Sequence, residues 1–337
     1  MSMRPPRNFF VQTFSRDVGM LSRVADSLYW MGRYIERAEH TARLVNVELQ
    51  LWLDQSPEMG AGRWRFLLEA LNAPAADGPV DPTKLVNTLV FSRRNASSIV
   101  SSISSARENL RHVREQSSTR MWEQLNRLYL DVMDMRPEDD WILKSHDFFQ
   151  LITEGAYLFH GITDATMSHG EGWQFIQLGR YVERADTLTT LLETHFRRMT
   201  SDFDHPVEGA EYLEWVGLLR DCVAFEAYCK KHTAEIRPMR VAEFLILNPE
   251  FPHSIRFSVD RVNAALHLIG DLTQRAAKLP TRIAGRLRAQ ISYSQIEEII
   301  AEGVHTYLQN VRKDCKDIHA AINEIYFDYP IEAEIAS

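Results

Sequence analysis

The octapeptide MGRYIERA at residues 31–38 returns as LGRYVERA at residues 178–185, identical at six of eight positions and offset by 147. Self-similarity of this kind is the sequence signature of a repeated structural unit. A weaker echo accompanies it. Ser98-Ile99 followed by Ser102, after Phe91-Ser92-Arg93-Arg94, resembles Ser254-Ile255 followed by Ser258, after Asn248-Pro249-Glu250, at an offset of 156. Each half is therefore expected to hold a long helix carrying the Glu-Arg motif, then a second helix opened by a polar Ser-Ile turn. The pseudo-repeats fall at 20–168 and 169–330.

Around the first motif, Val24, Leu28, Met31, Ile35, Ala38, Ala42, Val45, Leu49 and Trp52 recur at steps of three and four. That spacing predicts one helix over about 21–54. On a wheel, Arg33, Glu36, Arg37 and His40 fall opposite this stripe, on the side where Tyr29, Trp30, Leu44 and Val47 also lie. The charges are thus a short island on an otherwise apolar helix. The second copy repeats the arrangement, with Arg180, Glu183 and Arg184 set between Trp173, Ile176 and Leu191. A helix apolar nearly all round is buried, and buried charges must be paired. Three readings follow: a structural network between the copies, Glu36 with Arg184 and Glu183 with Arg37; a polar pocket that turns the surplus arginines toward an anionic ligand; or an exposed face. On the pocket reading the binding residues are Arg33, Tyr34, Glu36, Arg37, Arg180, Tyr181, Glu183 and Arg184. The tyrosines, about 100° around the helix, would add hydroxyl donors.

The rest of the chain reads as helix. Segments near 63–71, 95–116, 121–135, 139–167, 172–200, 209–236 and 255–278 are periodic. Ser117 or Ser118 is placed to cap one helix. Ser294 with Glu297 forms a capping box opening a last helix to about Tyr326. The fold class is all-α, a multi-helix bundle of two diverged repeats. Residues 72–82, NAPAADGPVDP, read as a loop. Residues 1–19 hold three arginines, two prolines and no helical stripe, which predicts an extended or disordered arm.

Composition bounds the function. In 337 residues there are only 15 glycines and 13 prolines, which favours long helices over a many-turned β fold. The net charge of −8 lacks the basic footprint of a nucleic-acid binder. No apolar run reaches the roughly 18 residues of a membrane span, and the N-terminus lacks the apolar stretch of a secretory signal. The expectation is a cytoplasmic protein. Cys222 and Cys229, seven apart and so on one helical face, read as small core residues; with Cys315 they form no zinc-ligand pattern.

Catalytic and metal motifs are sparse. There is no nucleophile elbow and no phosphate-cradling glycine-rich loop. Glu36, Glu39 and His40 superficially resemble the carboxylate–histidine helices of di-iron bundles, but the spacing is four and the second copy has Thr187 where His40 would be. No cofactor is expected. His160, His169, His195 and His232 read as surface or satisfied core residues. In SSIVSSISSAREN, the serines 98, 101, 102 and 105 share a face suited to close helix packing.

These residues carry a specific resemblance. MLSRVADSLYWMGRYIERAEHTARL (20–44), SSARENLRHVREQSSTRMWEQLN (104–126), EGWQFIQLGRYVERAD (171–186), and FEAYCKK with RVAEFLILNPEFPHSIRF (225–257) resemble successive segments of the bacterial alpha-E family. One departure is Pro252-His253-Ser254, where that family usually has Pro-Arg-Ser. The resemblance implies a natural start at Met20 and a helical domain without an established activity. It also implies genetic association with a circularly permuted ATP-grasp protein and a transglutaminase-like protein. The implied role is an accessory or partner in an ATP-grasp peptide-ligase or amide-modification system. The alternatives are an enzyme of that pathway with Glu36 or Glu183 as general base, and a ferritin-like metal protein.

Overall fold

A computed structural model describes residues 20, 22–53, 57–73, 81–135, 141–198, 203–273 and 278–327. The expected arm at 1–19 lies outside them. Fourteen α-helices and no strands occur among the described residues, and none of these helices is long and apolar enough to cross a membrane.

The centre is two long helices. α1 (Ser22–Leu53) and α7 (Glu171–Arg198) each carry one copy of the motif and pack closely along each other. Both are buried on nearly every face along the motif, as their apolar circumference requires. The other helices are α2 (Pro57–Ala70), α3 (Pro82–Val90), α4 (Ile99–His112), α5 (Thr119–Asp134), α6 (Trp141–Thr166), α8 (Gly209–Asp221), α9 (Phe225–His232), α10 (Pro238–Leu247), α11 (Ile255–Thr273), α12 (Lys278–Tyr293), α13 (Ile296–Glu302) and α14 (Val304–Ile322). They surround the pair in matching order. α1 packs on α4 and α6, with α5 against both; α7 packs on α11 and α14, with α12 against both.

The two Ser-Ile turns do the same local work. Ser98 Oγ caps α4 by accepting from the Ser101 amide at 3.1 Å and donates to the Ser92 carbonyl. Ser254 Oγ accepts from the Phe257 amide at 3.0 Å and donates to the Asn248 carbonyl at 2.5 Å. Both serines are fully buried. A hydroxyl that supplies a helix's first amide with an acceptor, and places its own proton on the preceding loop, fixes where that helix begins.

The described helices correct the sequence reading in four places. The single helix expected over 209–236 is α8 and α9, because the chain turns at Val223, where φ is +52°. Cys222 therefore lies in the turn after α8 while Cys229 lies on α9, and the two share no helical face. The last helix is likewise two, divided at Gly303, whose φ of +98° is open to glycine at little cost. Its capping box is formed by Gln295 and Glu298, one residue later than expected; Ser294 instead donates to the Gln290 carbonyl. Three helices, α3, α10 and α12, lie where no helix was predicted. Ser118 does cap α5, accepting from the Met121 amide at 3.2 Å.

Candidate functional site

The motif glycines make the site possible. A Cβ on Gly32 would fall onto the carbonyl oxygen of Ile176, and a Cβ on Gly179 onto that of Tyr29. Ile176 lies 147 residues after Tyr29, and Gly179 lies 147 after Gly32. Each glycine thus meets the counterpart of the residue that its own counterpart meets. This exchange is the mark of an isologous contact about a two-fold relation. It brings the two backbones so close that the charged residues one turn later lie directly between them.

Those residues pair reciprocally. Glu36 on α1 accepts a two-pronged fork from Arg184 on α7, Nε to Oε1 at 2.5 Å and Nη2 to Oε2 at 2.8 Å, and Arg180 Nε stands 3.6 Å from the same carboxylate. Glu183 on α7 accepts from Arg33 Nε at 2.6 Å and from Arg37 Nε and Nη2 at 2.6 and 3.1 Å. The pairs Glu36–Arg184 and Glu183–Arg37, expected from the sequence, are present. Arg33 and Arg37, one turn apart, both reach Glu183. Both glutamates are almost wholly buried. Burial alone would raise the Glu183 pKa, but the Arg33 and Arg37 guanidiniums hold it at about 2. For Arg184 burial opposes the charge and the Glu36 carboxylate more than restores it, so its pKa is raised.

Tyr34 and Tyr181 take part through their ring faces. The Arg37 guanidinium lies 5.4 Å from the Tyr34 ring centre, and those of Arg180 and Arg184 lie 5.3 and 5.4 Å from that of Tyr181. Such placements stabilise a cation by the quadrupole of the ring.

The four arginines and two glutamates leave two positive charges inside the molecule, and the excess is unevenly met. Arg180 is the least paired: Glu36 is already taken by Arg184, Arg180 Nε has no hydrogen-bond partner, and burial together with Arg184 lowers its pKa. It lines a cavity of about 400 Å³ with Tyr181, His160, Trp173, Gln177 and Arg261. A second cavity, of about 180 Å³, opens beside Arg37 and Glu183 and is lined also by His40, Asp186 and Thr187.

Three buried histidines surround the Glu36 side. His160 from α6 lies 3.9 Å from the Glu36 carboxylate, and neither of its ring nitrogens has a hydrogen-bond partner. Its pKa is held well below the usual histidine range by burial, then by Arg180 and Arg184. His253 follows Pro252, whose carbonyl accepts from Arg184 at 3.2 Å, and is held down in the same way by burial and Arg184. His40 is pushed to about 3 by burial and by Arg43. The expectation of surface or satisfied histidines is thus wrong for His160, and for His195, which is buried with Nε2 unpartnered. Beside this group Glu39 pairs with Arg43 at 3.0 Å and accepts from the Tyr157 hydroxyl at 3.1 Å. The carboxylates that suggested a di-iron helix are therefore bound to arginine, and no group of three histidine, cysteine or acidic side chains placed to hold a metal occurs among the described residues.

Residues 20–327 match a family described as a predicted alpha-helical domain with a conserved ER motif. The chain belongs to the Alpha-E family. Two Glu-Arg dipeptides, Glu36-Arg37 and Glu183-Arg184, lie within the matched residues of this Alpha-E protein, and each pairs with the other. Similar proteins include the uncharacterized proteins Mb2597 of Mycobacterium bovis and MT2643 of Mycobacterium tuberculosis, each 25% identical over 330 residues. The alignments cover 90% of the present chain and 36% of each relative, so the chain spans about a third of their length. No solved structure matches.

Proposed function

We propose that this Alpha-E protein is a binding module that serves as an accessory of an ATP-grasp amide-forming system and recognises an anionic group at its arginine-rich junction. One observation carries the binding reading. Two buried glutamates are already satisfied, and the least-paired arginine of the set, Arg180, faces a 400 Å³ cavity together with Arg261. A carboxylate or phosphate entering there would gain charge-assisted hydrogen bonds with little reorganisation. ATP-grasp ligases handle such groups, since they activate carboxylates as acyl phosphates; the link to that chemistry comes from the family resemblance. The three cysteines are free, which suits a reducing, cytoplasmic setting.

The general-base alternative is weaker. A base needs a pKa near the working pH, and Glu183, held at about 2 by its arginines, is far too weak a base at neutral pH. Glu36 has both oxygens engaged by Arg184. The test is co-expression with the circularly permuted ATP-grasp protein. The binding reading expects a stable complex that changes ligase turnover, and expects Arg180→Gln to abolish the change while the fold survives. Turnover of the ligase product by this protein alone would favour the enzyme instead.

A further inference from the structure

About three turns beyond Glu36 on α1 lies a second buried charge cluster, in which carboxyl groups outnumber arginines. Glu48 accepts from Arg63 Nη1 at 3.1 Å, and the other arm of Arg63 donates to Glu214 on α8. Asp221, the last residue of α8, is fully buried, and neither carboxyl oxygen has a hydrogen-bond partner. Among the described residues, Arg63 pairs with Glu48 and Glu214, no side-chain cation pairs with the Asp221 carboxyl, and Arg198 is the arginine that lines the cavity. Arg43 reaches the Asp221 backbone carbonyl, not its side chain, and is itself neutralised by Glu39. The three acids line one cavity of about 140 Å³, with His195 and Arg198 completing the wall.

Two further features set the sign. A helix C-terminus carries partial negative charge, so the end of α8 favours a cation at Asp221 and opposes a carboxylate there. His195 is buried with Nε2 unpartnered, and burial with the nearby Arg198 holds its pKa at about 3. It therefore stays neutral and offers an acceptor or a donor without repelling a positive ligand. A buried carboxyl with no partner is costly as an anion and takes up either a proton or a cation. Burial, then Glu48, pushes the Asp221 pKa well up, which favours its protonated form.

We propose that the cavity bounded by Glu48, Glu214, Asp221 and His195 is a binding site for a cationic nitrogen head on an aliphatic stem, a guanidinium or primary ammonium group. The volume admits such a head with a short stem. Glu48 and Asp221 supply acceptors from two helices, and His195 adds an uncharged contact. Entry of the cation displaces the proton from Asp221, so binding releases protons. The source is either a basic side chain of a peptide or a free amine.

Calorimetric titration of the full chain with butylguanidine tests the site, with the uncharged isostere butylurea as control. Saturable binding of butylguanidine alone is expected, with heats that vary with the ionisation enthalpy of the buffer. Asp221→Asn should weaken it at least ~10-fold, the loss of a charge-assisted contact. Should Asp221→Asn fail to fold, Glu214→Gln, whose carboxylate is partly exposed, should weaken binding in a folded chain. Competition by a blocked Gly-Arg-Gly peptide would assign the source to a peptide, and its failure beside bound butylguanidine would assign it to a free amine. Equal binding of butylurea, unchanged affinity in both variants, or no saturable heat from the folded wild type would overturn the site.

Discussion

Glu183 shows most clearly what two arginines do to one carboxylate. Its pKa of about 2 in the folded state lies below the 4.5 of an exposed glutamate, so the carboxylate contributes stability that is fully present above pH 4.5 and is lost as the pH falls toward 2. The difference corresponds to about 3 kcal/mol. Buried histidines act earlier in an acid titration. His40 and His195, each at about 3 against an ordinary 6.5, remain neutral when folded while the unfolded chain takes up protons. Through His40 and His195 stability declines from about pH 6.5 downward, and through Glu183 below pH 4.5, while the raised pKa values of Glu48 and Asp221 act in the opposite sense. Urea midpoints of the chain and of His195→Gln, measured from pH 8 to pH 4, check the histidine contribution: the substitution should remove part of the loss below pH 6.5, and an unchanged pH dependence would contradict it. At Glu36, Gln keeps the shape and one acceptor oxygen while removing the charge. Glu36→Gln should accordingly destabilise less than Glu36→Ala, for which loss of one side of a buried pair costs ~3–5 kcal/mol; denaturant titration of both variants measures the order.

At the scale of the helix, the glycines carry the test. In an ordinary helix interior Gly→Ala gains about 1 kcal/mol. At Gly32 and Gly179 the added methyl meets a backbone carbonyl of the opposite helix, which no side-chain rotation can move. Gly32→Ala and Gly179→Ala should each destabilise by at least ~2 kcal/mol. Calorimetric melting decides, and a raised melting temperature would mean that α1 and α7 are not in backbone contact. The helices themselves show what the sequence can and cannot convey. α1 and α7 were legible because a continuous apolar stripe runs their length, and the charged island within it announced that Glu36, Glu183 and their arginines must pair. The glycine of each motif was in plain view, yet its role needs a partner helix to become visible. α3 and α10 begin at Pro82 and Pro238, residues that read as breakers though proline suits the first helical turn. His160 and His253 join the site from α6 and the turn before α11, and nothing in their local spacing points to Glu36.

Across the whole molecule the two halves meet through reciprocal contacts: Gly32 on Ile176, Gly179 on Tyr29, Glu36 on Arg184, Glu183 on Arg37. Duplication of one helical unit accounts for this exchange and for the matching neighbours of α1 and α7. The same two-fold operation should then superimpose α1 with α4 onto α7 with α11 and carry Ser98 to Ser254; an experimental structure placing Ser98 away from that position would refute it. Buried Glu-Arg pairs that cross between the copies lock the halves together, and the proposed anion site rests on the positive charge they leave over. A double-mutant cycle on Glu36→Gln and Arg184→Gln, read by equilibrium unfolding, tests the lock most directly. Crossed pairing predicts a coupling energy of about 1–3 kcal/mol, and a coupling indistinguishable from zero would contradict it.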